Sequence, residues 1–412
     1  MPAGRAAGAE GDERRAITVT PTIPRSDIDL WSEEVIQAPY AAYRELRDLG
    51  PAVWLERYQV YAVTRYDDVY EALHDHDAFA SGAGVALNER LNQKMKGSAL
   101  VSDPPYHDHV RGVMGGPLTP KALRAHREDF QRLADDLIDR LLERGDFDAV
   151  VDFAQLFPLS VVPDLLGWPT EGRENFLAWA SAGFNALGPM NERAEADIPV
   201  LAGMWAFMAE IVQPGRLRAG SWGDDLVAAA QAGTVSKQLL PALIGDYLVP
   251  SLDTTVSSLT SAMLLLGRHP EQWRAVREDP ALIPNALNEV IRLETPIRAL
   301  ARTVTRDREL SGTVLPAGSR ALIVYASANR DERHWDEPET FDVTRANANT
   351  HVGFGHGIHG CVGQGLARLE GHALLTALAE KVETIDVGQP EYRVHNTIRA
   401  ITTLPATLKA ST

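Results

Sequence analysis

One cysteine, Cys361, stands among 412 residues, so no internal disulfide can form. A lone cysteine is either a small buried hydrophobe or is present for its sulfur chemistry, and composition alone favours the inert reading. Basic residues are in deficit. The 40 lysines and arginines face 56 aspartates and glutamates, a formal charge of -16 that would repel nucleic acid and anionic membranes alike. No eighteen uncharged apolar residues occur in a row, and the longest apolar stretch, Leu239 to Leu266, is interrupted by Asp246 and Asp253, which suits a buried helix and not a membrane span. The opening MPAGRAAGAEGDERRAITVT lacks the apolar core of a signal peptide. These absences lead us to expect a cytoplasmic, monomeric protein with a flexible N-terminus (1–20) ahead of a single domain (21–412), with neither nucleic acid nor membrane as partner.

What is present is chiefly helical patterning. Apolar residues recur at three-to-four spacing over Tyr40–Leu49, Asp68–Leu73, Ala122–Leu142, Ile198–Val212, Leu239–Leu266, Pro280–Leu293 and Val362–Lys381. Strand-like alternation is confined to Val53–Thr64, Arg302–Ser327 (with a turn at Pro316-Ala317-Gly318) and the C-terminus. The pattern predicts a mainly α fold with a minor β portion, without repeats or linkers. Ser81–Ser102 shows no sustained period and is read as a long, mobile loop, of the kind that often carries function.

The segment HVGFGHGIHGCVGQGLARLEG places Cys361 after a glycine-rich loop and directly before a helix. Helix-start amides stabilise a thiolate, and glycines let the backbone approach a flat ligand. An anionic sulfur is a strong electron donor to iron and favours O–O cleavage over reversible oxygen carriage. Phe354 to Gly363 resembles the haem-binding signature of cytochromes P450.

Further stretches fit that resemblance in order. Glu289 and Arg292 lie one helical turn apart, and Phe341-Asp342-Val343-Thr344-Arg345 resembles the family segment whose arginine, here Arg345, completes a buried structural cluster with them. Asp103-Pro104-Pro105-Tyr106-His107 followed by Arg111 resembles the family's propionate-binding helix start. The same likeness implies propionate contacts from Arg302 and His359, and Cys361 as the axial ligand of haem b. Val249-Pro250-Ser251-Leu252-Asp253-Thr254-Thr255 resembles the oxygen-activating helix. An acid beside a hydroxyl can relay protons there, which implies Asp253 and Thr254 as catalytic residues. A mid-helix threonine can alternatively bond back to a preceding carbonyl. Pro250 and Ser251 depart from the small residue and glycine usual at those positions. The implied fold is the triangular prism of the family, with haem between the long central helix and the cysteine helix.

From about Tyr40 to Leu404, segments such as YQVYAVTRYDDV, PLSVVPDLLG and SANRDERHW resemble the para-alkoxybenzoate demethylase branch. The likeness implies a small aromatic substrate whose alkoxy carbon is hydroxylated. It also implies a pocket of Val85, Leu87, Ser98, Leu100, Phe184, Leu187, Leu248, Val249, Ile297, Leu300 and Ile398, most of them apolar as an aromatic pocket requires. For any single Leu or Val, ordinary core packing is the competing explanation. The branch holds a carboxylate with Arg and Ser side chains, whereas this chain has Lys94, Gly97, Gly245 and Asp246 there, with Ser98 within reach of a one-residue slip. Asp246 would repel a benzoate unless paired or protonated, which points to a neutral phenolic or alkyl-aryl substrate. Arg298 is the one candidate for a substitute anion contact. With no flavin or iron–sulfur segment, electrons are expected from a ferredoxin and its reductase, docking near Arg111, His356 and Arg368. The competing readings are a hydroxylase of larger terpenoids or polyketides and a haem sensor or electron carrier, against which the Asp253-Thr254 pair argues.

Overall fold

The computed structural model describes residues 23–411; the expectation about residues 1–20 lies outside them. Helices dominate, and the longest, Leu240–Arg268, runs through the centre for 29 residues, about 43 Å. Pro241 sits in its first turn, where a missing N–H costs nothing, and the helix stops ahead of Pro270. Its flanks Leu243, Ile244, Leu248, Leu252 and Leu259 are buried in the largest hydrophobic core, together with Leu374, Leu375 and Leu378 of the cysteine helix Gln364–Lys381.

The β portion is a six-stranded sheet in the order Arg25–Ser26, Ala52–Leu55, Val60–Val63, Arg320–Ile323, Leu300–Val304, Phe79–Ala80, joined by one three-stranded and two two-stranded sheets. Val53 pairs with Ala62 in an antiparallel register, and Val63 pairs with Ile323 in a parallel one. The sheet carries two smaller cores, one of which reaches Phe184, Leu187 and Leu300 at the edge of the central cavity.

Several elements differ from expectation. The Ala122–Leu142 periodicity resolves into two helices, Pro120–Arg124 and Arg127–Arg144, because the chain tightens at Ala125 and His126, whose amides reach back to Ala122 and Leu123. Ser81–Ser102 contains the helix Glu89–Met95, capped by Asn88, whose side chain accepts from the Arg90 and Leu91 amides. Two turns are too short to show a period. Tyr325–Ala328, at the end of a strand-like run, is a helical turn. One apolar helical run, Ala149–Leu166, has the length and composition of a membrane span, but 56% of it is buried in the protein and it holds Asp152 and Asp164.

Glu289, Arg292 and Arg345 meet in the interior. Arg292 donates from Nε and Nη2 to the two carboxylate oxygens of Glu289, each at 2.7 Å, and Arg345 donates from Nε to Oε1 at 3.0 Å. The two guanidiniums also bind the carbonyls of Asn329, Pro338, Thr340, Asp336 and Glu337, so one buried cluster ties the Ile283–Leu293 helix to the chain that leads into the cysteine loop.

Candidate functional site

The cysteine loop is closed by its own backbone. The Cys361 amide donates to the Phe354 carbonyl at 2.8 Å, and the Gly360 amide to Gly357 at 3.1 Å. Gly357 takes φ +65°, and a Cβ there would lie 2.4 Å from the Leu73 carbonyl oxygen, so no other residue fits this approach. Burial raises the Cys361 thiol above its usual range, while the Gly363 and Gln364 amides and the Arg111 and Arg368 guanidiniums oppose that shift by favouring the anion. This donor set suits a thiolate bound to a metal.

Cys361 forms part of the wall of a central cavity that lies between the long helix and the cysteine helix. A basic edge borders it. Arg111, Arg302 and His359 line the cavity, and His107 is buried behind them with its ring 4.4 Å from that of His359. The Nε2 atoms of both histidines are buried without a hydrogen-bond partner among the described residues. Burial and the neighbouring Arg302 and His107 push His359 down to about 3. Buried donors left unpaired are costly and call for an acceptor. A flat macrocycle with iron at the Cys361 sulfur and carboxylates at this edge supplies that acceptor, so the residues fit haem b. Arg111 also donates to the Gly360 carbonyl and Arg368 to Asn288 Oδ1 at 2.5 Å, while His356 packs 4.4 Å from His74 and 4.7 Å from Tyr70.

Across the cavity, the long helix presents Asp246, Tyr247, Pro250, Ser251, Thr254, Thr255 and Ser258. Thr254 lines the cavity and its hydroxyl bonds back to the Pro250 carbonyl at 2.6 Å. Ser251 bonds the Tyr247 carbonyl in the same way. Pro250 has no N–H for the Asp246 carbonyl, so the helix runs on through this site with one internal bond missing, and side-chain hydroxyls, with no glycine, bond back to its carbonyls. Asp253 faces away from the cavity. Its carboxylate pairs with Arg393 at 2.8 Å, and Arg393 also donates to Ser181 at 3.1 Å. Burial raises Asp253 and the Arg393 charge opposes the shift. Sequence reading missed Arg393, which is 140 positions away and outside any motif.

Of the residues named for the pocket, Leu100, Phe184, Leu187, Ile297 and Leu300 line the cavity. The rest lie elsewhere. Val85, Leu248 and Ile398 are fully enclosed core residues, and Val249 packs against Gly183. Ser98 is buried behind the wall, where its hydroxyl accepts from the Val101 amide. Leu87 and Arg298 border a separate small cleft near Trp31. Arg298 Nη2 is held there by the carbonyls of His395 and Asn396 at 3.0 and 2.7 Å, and the side chain borders that cleft and not the central cavity, which corrects its assignment as an anion contact on the cavity wall. Lys94 stands over the Trp205 ring at 5.0 Å, also outside the cavity. Ala99, Ser258 and Pro296 are wall residues that no motif indicated, and Thr255 joins them from the end of the oxygen-activating motif.

Comparison with known proteins agrees with this geometry. Residues 224–409 match the family model described as cytochrome P450. The chain is 40% identical over 391 residues to cytochrome P450 CYP199A2 of Rhodopseudomonas palustris, covering 94% of this chain and 95% of that protein. It is 30% identical over 410 residues to the vitamin D(3) 25-hydroxylase of Pseudonocardia autotrophica, covering 95% and 98% respectively. Among solved structures, cytochrome P450 CREJ in complex with (4-ethylphenyl) dihydrogen phosphate superposes with a TM-score of 0.82 at 28% identity, over 91% of this chain and 98% of that one. With its cysteine loop, basic edge and prism of helices thus accounted for, this chain belongs to the cytochrome P450 family.

Proposed function

We propose that this monooxygenase oxidises a small aromatic compound, by O-demethylation of an alkoxy group or by hydroxylation, and prefers a neutral phenolic or alkyl-aryl substrate to a benzoate. The observation that carries this reading is the cavity wall itself. Leu100, Phe184, Leu187, Ile297 and Leu300 supply an apolar surface, and the cations that line it, Arg111 and Arg302, stand at the basic edge that a haem's carboxylates would take. Lys94 and Arg298 are engaged elsewhere, so a benzoate carboxylate would meet no free cation among the described residues of the opposite wall.

Haem iron held by the Cys361 thiolate supplies dioxygen reduction and oxygen insertion. The chain's own residues govern protons and position. Arg393 is partly exposed and holds Asp253 away from the cavity; when that pair opens, the Asp253 carboxyl can take a proton from solvent and turn to deliver it beside Thr254. In O-demethylation, one oxygen atom of dioxygen enters the methyl C–H bond and the other leaves as water, with two electrons and two protons consumed. The hemiacetal then collapses to a phenol and formaldehyde. The electrons come from a ferredoxin and its reductase, docking beside the cysteine loop near Arg111, His356 and Arg368, as suits a cytoplasmic enzyme.

The test compares the Soret shift and formaldehyde release produced by 4-methoxyphenol with those produced by 4-methoxybenzoate. Tighter binding and near-stoichiometric formaldehyde from the phenol are expected; tight benzoate binding overturns the preference. The vitamin D(3) hydroxylase likeness favours a second reading, a larger terpenoid-like substrate. Turnover of such compounds with no response to methoxyaromatics would establish it instead.

A further inference from the structure

We infer that Asp246 selects the substrate, recognising a hydrogen-bond donor (a phenol O–H, an amide N–H or an ammonium group) at the end of the molecule remote from the carbon that is oxidised. The inference rests on the monooxygenase reading above and narrows its substrate class.

Most polar groups that the long helix offers to the cavity are already used. The Tyr247 hydroxyl donates to the Met114 carbonyl at 2.5 Å, Thr254 to the Pro250 carbonyl, and Ser258 to the Thr254 carbonyl at 2.9 Å; Ser251 donates to the Tyr247 carbonyl. Asp246 differs. It lines the cavity, Ser98 and the Ala99 amide stand near enough to favour its ionised form, and its Oδ2 is enclosed without a hydrogen-bond partner among the described residues. Because Pro250 has no N–H to give, the main-chain carbonyl of Asp246 also lacks its helical donor. The turn therefore presents acceptor capacity to the cavity with no cation against it. An enclosed acceptor left unpaired is costly, and a ligand that brings a donor removes that cost.

Position agrees with this role. Asp246, Pro250, Thr254 and Ser258 are four apart and share one face of the helix. Asp246 lies two turns, about 12 Å, from Thr254 along the helix axis. One para-substituted ring with its two substituents is about 7 Å long, and a contact of about 3 Å at each end brings it to that reach. The Ser251 and Thr254 hydroxyls between are bonded to their own helix, so the Asp246 carboxyl, at the far end from the Thr255 hydroxyl, is the charged group that can orient such a ring. Burial pushes Asp246 up to about 7, a cost that a bound donor would offset.

The experiment uses the haem-loaded enzyme and three para-substituted N-phenylimidazoles bearing hydroxyl, aminomethyl or carboxylate groups. The imidazole nitrogen ligates iron whatever the natural substrate is, so the ratio of their dissociation constants reads the remote contact. In the wild type the hydroxyl and aminomethyl probes should bind about tenfold or more tighter than the carboxylate, the size of one charge-assisted hydrogen bond. In Asp246→Asn the aminomethyl advantage should collapse and the carboxylate should gain, with unsubstituted N-phenylimidazole unchanged in both. Asp246→Ser repeats the test should the asparagine variant fold poorly, and the wild-type ratio needs no variant at all. Equal or tighter carboxylate binding by the wild type, or an unchanged ratio in a folded variant, overturns the inference. If the ratio holds while methoxyaromatics produce neither a Soret shift nor formaldehyde, the donor contact stands and the small-aromatic reading fails.

Discussion

Removing the Glu289 carboxylate should destabilise the whole protein, and the structure sets the scale. Its side chain and that of Arg292 are both fully buried, and Arg345 is 9% exposed, so Glu289→Ala leaves two guanidiniums enclosed with only backbone carbonyls for compensation. Breaking a buried pair from one side costs about 3–5 kcal/mol, and the second arginine places this case near the upper end. Domains are stable by about 5–15 kcal/mol in total, so the variant should lose a third or more of its margin. Arg345→Ala should cost less, because the two-pronged Glu289–Arg292 contact at 2.7 Å survives it. The assay is urea unfolding followed by tryptophan fluorescence and by the Soret band. With a slope of about 3 kcal/mol per molar urea, a loss of 4 to 5 kcal/mol moves the midpoint down by about 1.5 M. The double variant Glu289→Ala/Arg345→Ala should cost less than the sum of the single ones, since each removes the other's partner. Midpoints within about 0.2 M of wild type for Glu289→Ala would refute the reasoning, because the cluster would then contribute nothing that solvent could not replace.

Other outcomes follow from the site. Cys361→Ala should abolish the strongly red-shifted Soret band of the reduced, carbon monoxide-bound protein; a retained band would remove the thiolate from the iron. Asp253→Asn should lower turnover by about 10²–10⁴-fold while leaving the substrate-induced Soret shift intact, and a proportional loss of binding would assign Asp253 to structure instead. Glu370 is buried on the cysteine helix with no ion-pair partner among the described residues, and burial pushes its carboxyl up to about 8. Its folded value lies above its unfolded one, so its contribution to stability is fully present below about pH 4.5 and is lost as pH rises through about 8. Glu370→Gln should therefore gain on wild type across that window, by at most about 1.4 kcal/mol per pH unit. Parallel pH–stability curves would contradict the assignment.

How far the sequence reached depended on whether a signal was local. Tyr40–Leu49 is the helix that its periodicity predicts, and the Glu289–Arg292 spacing, one turn of a strongly amphipathic helix, places both residues in the same buried cluster. Cys361 was legible because glycine placement and a helix start sit beside it in the chain, whereas Arg111, Arg302 and His359 were indicated only by the family resemblance and meet at one cavity edge after folding. The pocket was less so. Val85 and Leu248 are as apolar as Leu100 and Ile297, and only the packing decides which pair is enclosed and which faces the cavity. Arg298 looked available as a charge and is turned into a separate cleft, where its Nη2 meets two carbonyls near residue 396. Arg393 reaches Asp253 from a C-terminal segment whose sequence carries no period, so the pair exists only once the chain has folded.

The proline in the long helix has a mechanical consequence. An uninterrupted α-helix transmits rotation and translation from turn to turn through its i to i−4 bonds, but the bond that would join residues 246 and 250 cannot form. The continuous helix is thus softened at one turn, with Asp246 on one side of it and the Asp253–Thr254 pair on the other. A bulky guest that tilts the first half need not disturb the second. If Asp246 reads the guest and the Asp253–Thr254 pair relays protons, as proposed, the two tasks fall on separate segments, and mutations in the first half should retune the range of guests while proton delivery stays fixed.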